Sequence, residues 1–320
     1  MDYGEIIRRA WNITKKYKYL WVFGFILALF GGGGGYSSNN LSNSFQYTYK
    51  RSEIALPVEL QQFLFKLQNF TMKNIGLIIL FAIFMIILAI AGFTLYIIAD
   101  GGLIGSVKNI EAGEKNSLKD GFKTGSNYFW RMLGKNLLTG LIGVFIALIF
   151  LLIFSTIYFL TPISQNKQYL PENVGIILFF IILFFILMIP LMIFLGILND
   201  YSSRFIVIKN NGIIESIKNS FKLIISNLKH TIIIALILFA IGIIVSIILF
   251  IIFLIIAIPS ALLIFSIYRI GSIAFSLVLA ALALLFLIIL SAFLNGIRLT
   301  FSSSTWTLTF LKLTKPEQLE

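Results

Sequence analysis

Six stretches of this chain, about residues 19–35, 74–99, 136–161, 173–198, 231–258 and 271–297, carry no charged residue. At 1.5 Å of rise per residue, about 20 helical residues cover the ~30 Å hydrocarbon layer of a bilayer. Inside that layer every backbone N–H and C=O must find a partner within the segment, which leaves the α-helix as the form for separate apolar runs. The runs predict six membrane-spanning helices. Composition agrees, because 59% of residues are hydrophobic and 12% charged, against about 25% charged in soluble domains. No water-soluble core encloses that much apolar surface. The expected fold class is all-α: a polytopic membrane helix bundle forming a single integral membrane domain over residues 1–320.

The first run is the shortest and ends in five glycines, residues 31–35, where backbone entropy opposes a helix. It follows Arg8, Arg9, Lys15, Lys16 and Lys18, which resembles the charged start of a signal peptide. No small-x-small cleavage pattern follows, so a retained first helix is expected. Pro190 falls inside the fourth run and predicts a kink there.

Cations divide unevenly between the two sides that six crossings define. Residues 1–18, 100–135, 199–230 and 298–320 hold nineteen Lys and Arg, and the opposite segments hold six. The richer side is expected to be cytoplasmic, with both termini inside and the protein multi-pass in the cell (inner) membrane. The segment 36–73 is then the one sizeable external piece. Within it, Pro57 introduces Val58, Leu60, Phe63, Leu64 and Leu67 at helical spacing, predicting a short helix along the outer surface. Asn69-Phe-Thr71 has the form of a glycosylation tripeptide, a pattern that chance produces often.

Between the apolar runs the chain repeats itself. Residues 113–123 (GEKNSLKDGFK) and 212–222 (GIIESIKNSFK) match at an offset of 99. Each predicts a helix with one apolar stripe, Leu118, Phe122, Gly125 and Phe129 in the first and Ile217, Phe221, Ile224 and Leu228 in the second. Lys119, Lys123, Lys218 and Lys222 lie on other faces. The N-terminus reads as a third, drifted copy, with Ile6, Ala10, Ile13, Tyr17 and Leu20 on one side and Arg8 and Arg9 elsewhere. The expected architecture is three helix-pair repeats, about 1–105, 106–205 and 206–313, each opening with a cytoplasmic interfacial amphipathic helix. Asp100, Asn199-Asp200 and Asn295 mark the cytoplasmic ends of the inward spans, where headgroups and water satisfy polar groups.

The candidate functional residues are therefore Arg8, Arg9, Lys119, Lys123, Lys218 and Lys222, placed to contact anionic lipid or an acidic membrane-protein partner. Each such cation near an anionic leaflet is worth about 1 kcal/mol. Anchoring and orienting a bundle explains the same pattern without a partner.

Chemistry is sparse. There is no cysteine and one histidine, His230, which excludes thiolate and multi-histidine metal sites. His230, at the start of the fifth run, is expected to be interfacial and solvated. No ionisable residue falls inside a predicted span, which argues against ion-driven transport but leaves a carrier of lipid or neutral solute open. Gly92, Gly101, Gly102, Pro190, Gly196 and Gly271 would mark broken helices of a transporter. Close packing, as for Gly140 and Gly143, is the commoner role of such glycines. No paired carboxylates, nucleophile elbow, zinc-binding helix or phosphate loop occurs. Catalytic, metal and cofactor residues are expected to be none, and the protein non-enzymatic. Nucleic acid is set aside as a partner by the dispersal of the cations. Trp11, Trp21, Trp130 and Trp306 fall near the cytoplasmic interface, as an aromatic belt would.

The segments 113–123 and 212–222, with the N-terminal stretch Trp11 to Gly24, resemble bacterial polytopic proteins related to the membrane domain of some glycerophosphoryl diester phosphodiesterases. The resemblance implies a six-helix membrane module. The phosphodiesterase barrel and its acidic ligands have no counterpart here, so no catalytic residue carries over, and a role in lipid metabolism would be that of a platform.

Overall fold

The computed structural model describes residues 1–31, 75–160, 170–269 and 273–314. The surface helix expected from Pro57, the tripeptide at Asn69, residues 32–35 and Gly271 lie outside the described residues. The helices are α1 (Tyr3–Lys16), α2 (Leu20–Phe30), α3 (Ile75–Glu111), α4 (Leu118–Asn127), α5 (Phe129–Leu160), α6 (Leu170–Lys209), α7 (Ile213–Ser226), α8 (Leu228–Arg269) and α9 (Ile273–Thr314). Among the described residues there is no strand.

Five helices are long and apolar enough to cross a membrane: α3, 129–153 of α5, 182–209 of α6, 228–264 of α8 and 278–314 of α9. The sequence predicts six. The 11 residues of α2 reach about 16 Å, half the hydrocarbon layer. α6 runs on as helix through Pro190.

On one side the helices overrun their expected ends. α3 continues past Ala99 to Glu111, α6 past Leu198 to Lys209, and α9 past Ile297 to Thr314. The polar and glycine residues that read as membrane edges are instead helical residues in contact with other helices. Burial is concentrated there, in Ile97 to Val107, Ile197 to Val207 and Ala292 to Phe310, together with Ile6 to Leu27 of α1 and α2. The apolar remainder is exposed in the protein alone, as in Leu77 to Ile90 of α3. Lipid tails are as apolar as Leu, so nothing drives those side chains to bury in each other, and close packing is confined to one end of the bundle. We call that end the hub.

In the hub the terminal parts of α3, α6 and α9 touch one another. α1 lies on α9, α4 on α3 and α7 on α6, while α2 fits between α9 and α3. Small residues let the backbones meet. A Cβ on Gly125 would stand 1.9 Å from the Ile98 carbonyl oxygen, and one on Gly102 would stand 2.7 Å from the Gly121 oxygen. The α2–α9 crossing has the same construction, with a Cβ on Gly24 falling 2.1 Å from the Gly296 oxygen and the Thr300 hydroxyl donating to the Leu20 carbonyl at 3.2 Å. α7 uses serines, Ser220 accepting from Ser202 of α6 at 3.1 Å. By contrast Gly140 and Gly143 have nothing within 4 Å, so the packing role expected of them is not seen: they lie on the loosely packed, outer part of α5.

Capping sets where the short helices begin. The Ser117 hydroxyl accepts from the Asp120 amide at 3.3 Å and the Asp120 carboxylate accepts from the Ser117 amide at 3.0 Å, a reciprocal box that satisfies two orphan donors. The Ser117 hydroxyl, which also donates to the same carboxylate at 2.6 Å, and the Ser117 amide hold the Asp120 carboxyl below the usual carboxylate range. A carboxyl with a depressed folded value stabilises above its unfolded value, about 4, and loses that contribution as pH falls through the folded one. The α4 cap is therefore fully formed at neutral pH. α7 starts one turn earlier in the aligned segment, after Gly212, whose amide donates to Glu215 at 3.4 Å.

Candidate functional site

The hub encloses a polar junction that joins α3, α5, α6 and α9. The Lys135 side chain of α5 is fully buried. Its ammonium donates to the Ser203 hydroxyl at 2.7 Å and to the Asn199 carbonyl at 3.4 Å. Ser203 in turn lies 3.4 Å from the Asp100 carboxylate of α3 and 3.2 Å from the Asn199 carbonyl, with one proton to share between them. One residue on, Arg204 is 2% exposed. Its guanidinium bonds the Asp200 carbonyl at 2.5 Å, stands 3.6 Å from the Asp200 carboxylate, and reaches the Ser303 carbonyl of α9 at 3.1 Å.

Two carboxylates and two cations make the junction neutral overall. That balance permits the burial of Lys135 and Arg204, since an isolated charge in such a place would cost several kcal/mol. The Arg204 Nε and the Ser303 hydroxyl are buried without a hydrogen-bond partner. The junction differs from the sequence expectation, in which Asp100 and Asn199-Asp200 are satisfied by headgroups and water. They are satisfied here by Ser203, Lys135, Thr139 and Arg204. Ionisable groups thus sit within long apolar helices after all, because those helices extend beyond the uncharged runs that defined the spans.

The six cations singled out by the sequence lie on three separate helices around the hub. Arg8 and Arg9 are on α1, Lys119 and Lys123 on α4, and Lys218 and Lys222 on α7, all exposed. Arg9 is tied to Glu111 of α3 at 2.9 Å, which commits it to holding α1 against α3. The faces opposite the cations carry Ile6, Ala10 and Ile13 in α1, Gly121 and Gly125 in α4, and Ser216, Ser220 and Ile224 in α7, all buried. In α7 the buried line of Ser216, Ser220 and Ile224 shares only Ile224 with the expected stripe; Phe221 is 52% exposed, and Leu228, the first residue of α8, 45%. Serines make the closer contact with α6, so they take the inner positions.

Two further residues depart from their expected places. His230 is bonded to the Tyr3 hydroxyl at 2.6 Å and is part-buried, so it fastens α1 to the start of α8 instead of standing in solvent. Trp306 is 3% exposed and packs edge-on against Tyr201, a core position; Trp130, 76% exposed, is placed as a belt residue would be. The sequence signal for the buried junction lies in the i, i+4 spacing of Asp200 and Arg204 and in Lys135 immediately preceding an apolar run. Neither feature reveals burial without knowledge of which helices meet.

Nine helices among the described residues, five of them of crossing length and four of those meeting at a polar junction, define a multi-pass helical membrane protein. The chain belongs to a family of unknown function (DUF7544), whose match spans residues 17–318. No curated protein and no solved structure matches it.

Proposed function

We propose that this is a non-enzymatic protein of the cell (inner) membrane whose cytoplasmic basic helices engage anionic lipid, serving as a platform on that leaflet. In this reading the chain crosses six times with both termini inside, in three units of about 1–105, 106–205 and 206–313, and the hub lies at the cytoplasmic side. One observation carries it. α1, α4 and α7 each turn a close-packed face to a long helix while Arg8, Lys119, Lys123, Lys218 and Lys222 stand exposed around the same end of the bundle. The nineteen-to-six division of cations argues for that end being inside.

Changing Lys119, Lys123, Lys218 and Lys222 together to Gln tests the proposal. Each cation contributes about 1 kcal/mol of attraction to an anionic leaflet, roughly fivefold in local enrichment. Phosphatidylglycerol recovered with the purified variant should fall several-fold relative to phosphatidylcholine. An unchanged ratio would discard the platform.

A second reading, a carrier for lipid or a small neutral solute, gains support from the buried junction of Asp100, Lys135, Asp200 and Arg204, since ionisable groups among membrane helices are a usual mark of a transport path. Flux of solute or scrambling of lipid in proteoliposomes above protein-free vesicles would favour it over the platform.

A further inference from the structure

A cleft of about 460 Å³ lies between α2, α8 and α9, walled by small and apolar side chains, among them Ala28, Ala261, Ala280, Ala283 and Leu287. Its polar end is Asn295. On α9 the lining residues Leu284, Leu287, Ser291 and Asn295 follow one face at helical spacings of three and four. The next residue on that face is Arg298. Its Nε donates to the Asn295 Oδ1 at 2.8 Å, its Nη1 lies beside Gly242 of α8, and it is half-buried. The ion pairs among the described residues engage Arg9, Arg204 and Lys312. Arg298 has no carboxylate partner among them.

Depth makes this arrangement specific. From its start at Ile273, α9 runs without a charge until Arg298, about 37 Å at 1.5 Å per residue. Along α9 the guanidinium thus stands at the hub-side end of an uncharged run longer than the ~30 Å hydrocarbon layer. Between Ala280 and Asn295 the cleft extends about 22 Å along α9, more than the ~15 Å of acyl layer in one leaflet. Its volume lies in the ~300–1,000 Å³ range that small ligands fill.

We propose that the cleft retains one anionic phospholipid of the hub-side leaflet, an acyl chain lying along the alanines of α9 and the phosphate held by Arg298. A guanidinium suits this role because its fork of donors matches two phosphate oxygens at once. The proposal deepens the platform reading by naming a single bound lipid, and it rests on that reading only for the leaflet concerned.

The test uses the full chain reconstituted in vesicles of equal parts phosphatidylglycerol and phosphatidylcholine, re-extracted in detergent and weighed intact by native mass spectrometry. The unaltered protein should keep one phosphatidylglycerol. Arg298→Gln should lower the preference for phosphatidylglycerol at least tenfold, Arg298→Lys should keep part of it, and Ala283→Phe should expel the lipid by filling the cleft. The Lys119, Lys123, Lys218 and Lys222 to Gln variant should still retain it. Equal retention of the two lipids by the unaltered protein, or no change in either Arg298→Gln or Ala283→Phe, would overturn the proposal while leaving the platform to be judged by the lysine variant alone. Thermal unfolding of each variant in the same detergent confirms that it is folded; if Arg298→Gln is not, Ala283→Phe and Arg298→Lys decide.

Discussion

Gly125→Ala should destabilise the protein by about 3 kcal/mol, the upper part of the range for overpacking a close contact. The added methyl carbon would stand 1.9 Å from the Ile98 oxygen and 2.9 Å from the Gly102 amide. Both are backbone atoms, which cannot swing aside as a side chain does, so α4 must lift from α3 or slide along it. Movement of α4 also disturbs the neighbouring contact of Gly121 with Phe23 and Ser106, and through Phe23 the packing of α2. Gly140→Ala is the matched control. Nothing lies within 4 Å of it, and replacing a mid-helix Gly by Ala in open space gains about 0.5–1 kcal/mol. Unfolding in detergent micelles should therefore shift in opposite directions for the two variants, with hydrogen exchange in α4 accelerated in the first. A Gly125→Ala protein as stable as the parent would mean that α4 does not lie against α3 as described.

The second large effect concerns Asp200. Removing it with Asp200→Ala leaves the Arg204 guanidinium, 2% exposed, with only carbonyl partners at 200 and 303. Breaking a buried pair by losing one partner costs about 3–5 kcal/mol when both charges are enclosed. The Asp200 side chain is 35% exposed, so solvent already screens part of the interaction and a loss of about 2 kcal/mol is expected. Removing both charges, Asp200→Ala with Arg204→Met, leaves no uncompensated cation and should restore most of the loss, because apolar replacements of buried pairs are close to neutral. Chemical denaturation of the parent and the two variants in micelles measures this. If the double variant is as unstable as Asp200→Ala, the charge balance of the junction is not what stabilises it.

How far the sequence discloses this molecule depends on the part considered. The apolar runs identify the long helices because hydrocarbon leaves few choices of backbone structure and about 20 residues fix the length. Where those helices end is hidden, because Asp100-Gly-Gly and Asn199-Asp200-Tyr201 look like exits. Glycines that weaken an isolated helix allow close approach in a packed one, and α3 continues for about three more turns because α4 seats on Gly102 and Gly105. Apolar periodicity likewise finds Ile224 but not Ser216 and Ser220 on the inner line of α7. Hydrophobic stripes indicate which face avoids water, but beside a membrane Phe221 can meet lipid while Ser216 and Ser220 occupy the contact with α6. The exposed cations Lys119, Lys123, Lys218 and Lys222 are legible by their offset of 99 residues. Burial of Lys135 and Arg204 is not, since it depends on partners 64 to 99 residues away in sequence, at Asn199, Ser203 and Ser303.

The most direct test concerns sidedness. The chain lacks cysteine, so single cysteines at Ser44, Glu114 and Ile214 each report one location with a membrane-impermeant thiol reagent applied to intact cells. Glu114 and Ile214 are both exposed and lie at the starts of the α4 and α7 segments. Paired crossings with the hub inside require Ser44→Cys to react at once, and Glu114→Cys and Ile214→Cys to react only after the membrane is opened. Labelling of Glu114→Cys and Ile214→Cys on opposite sides would contradict the account.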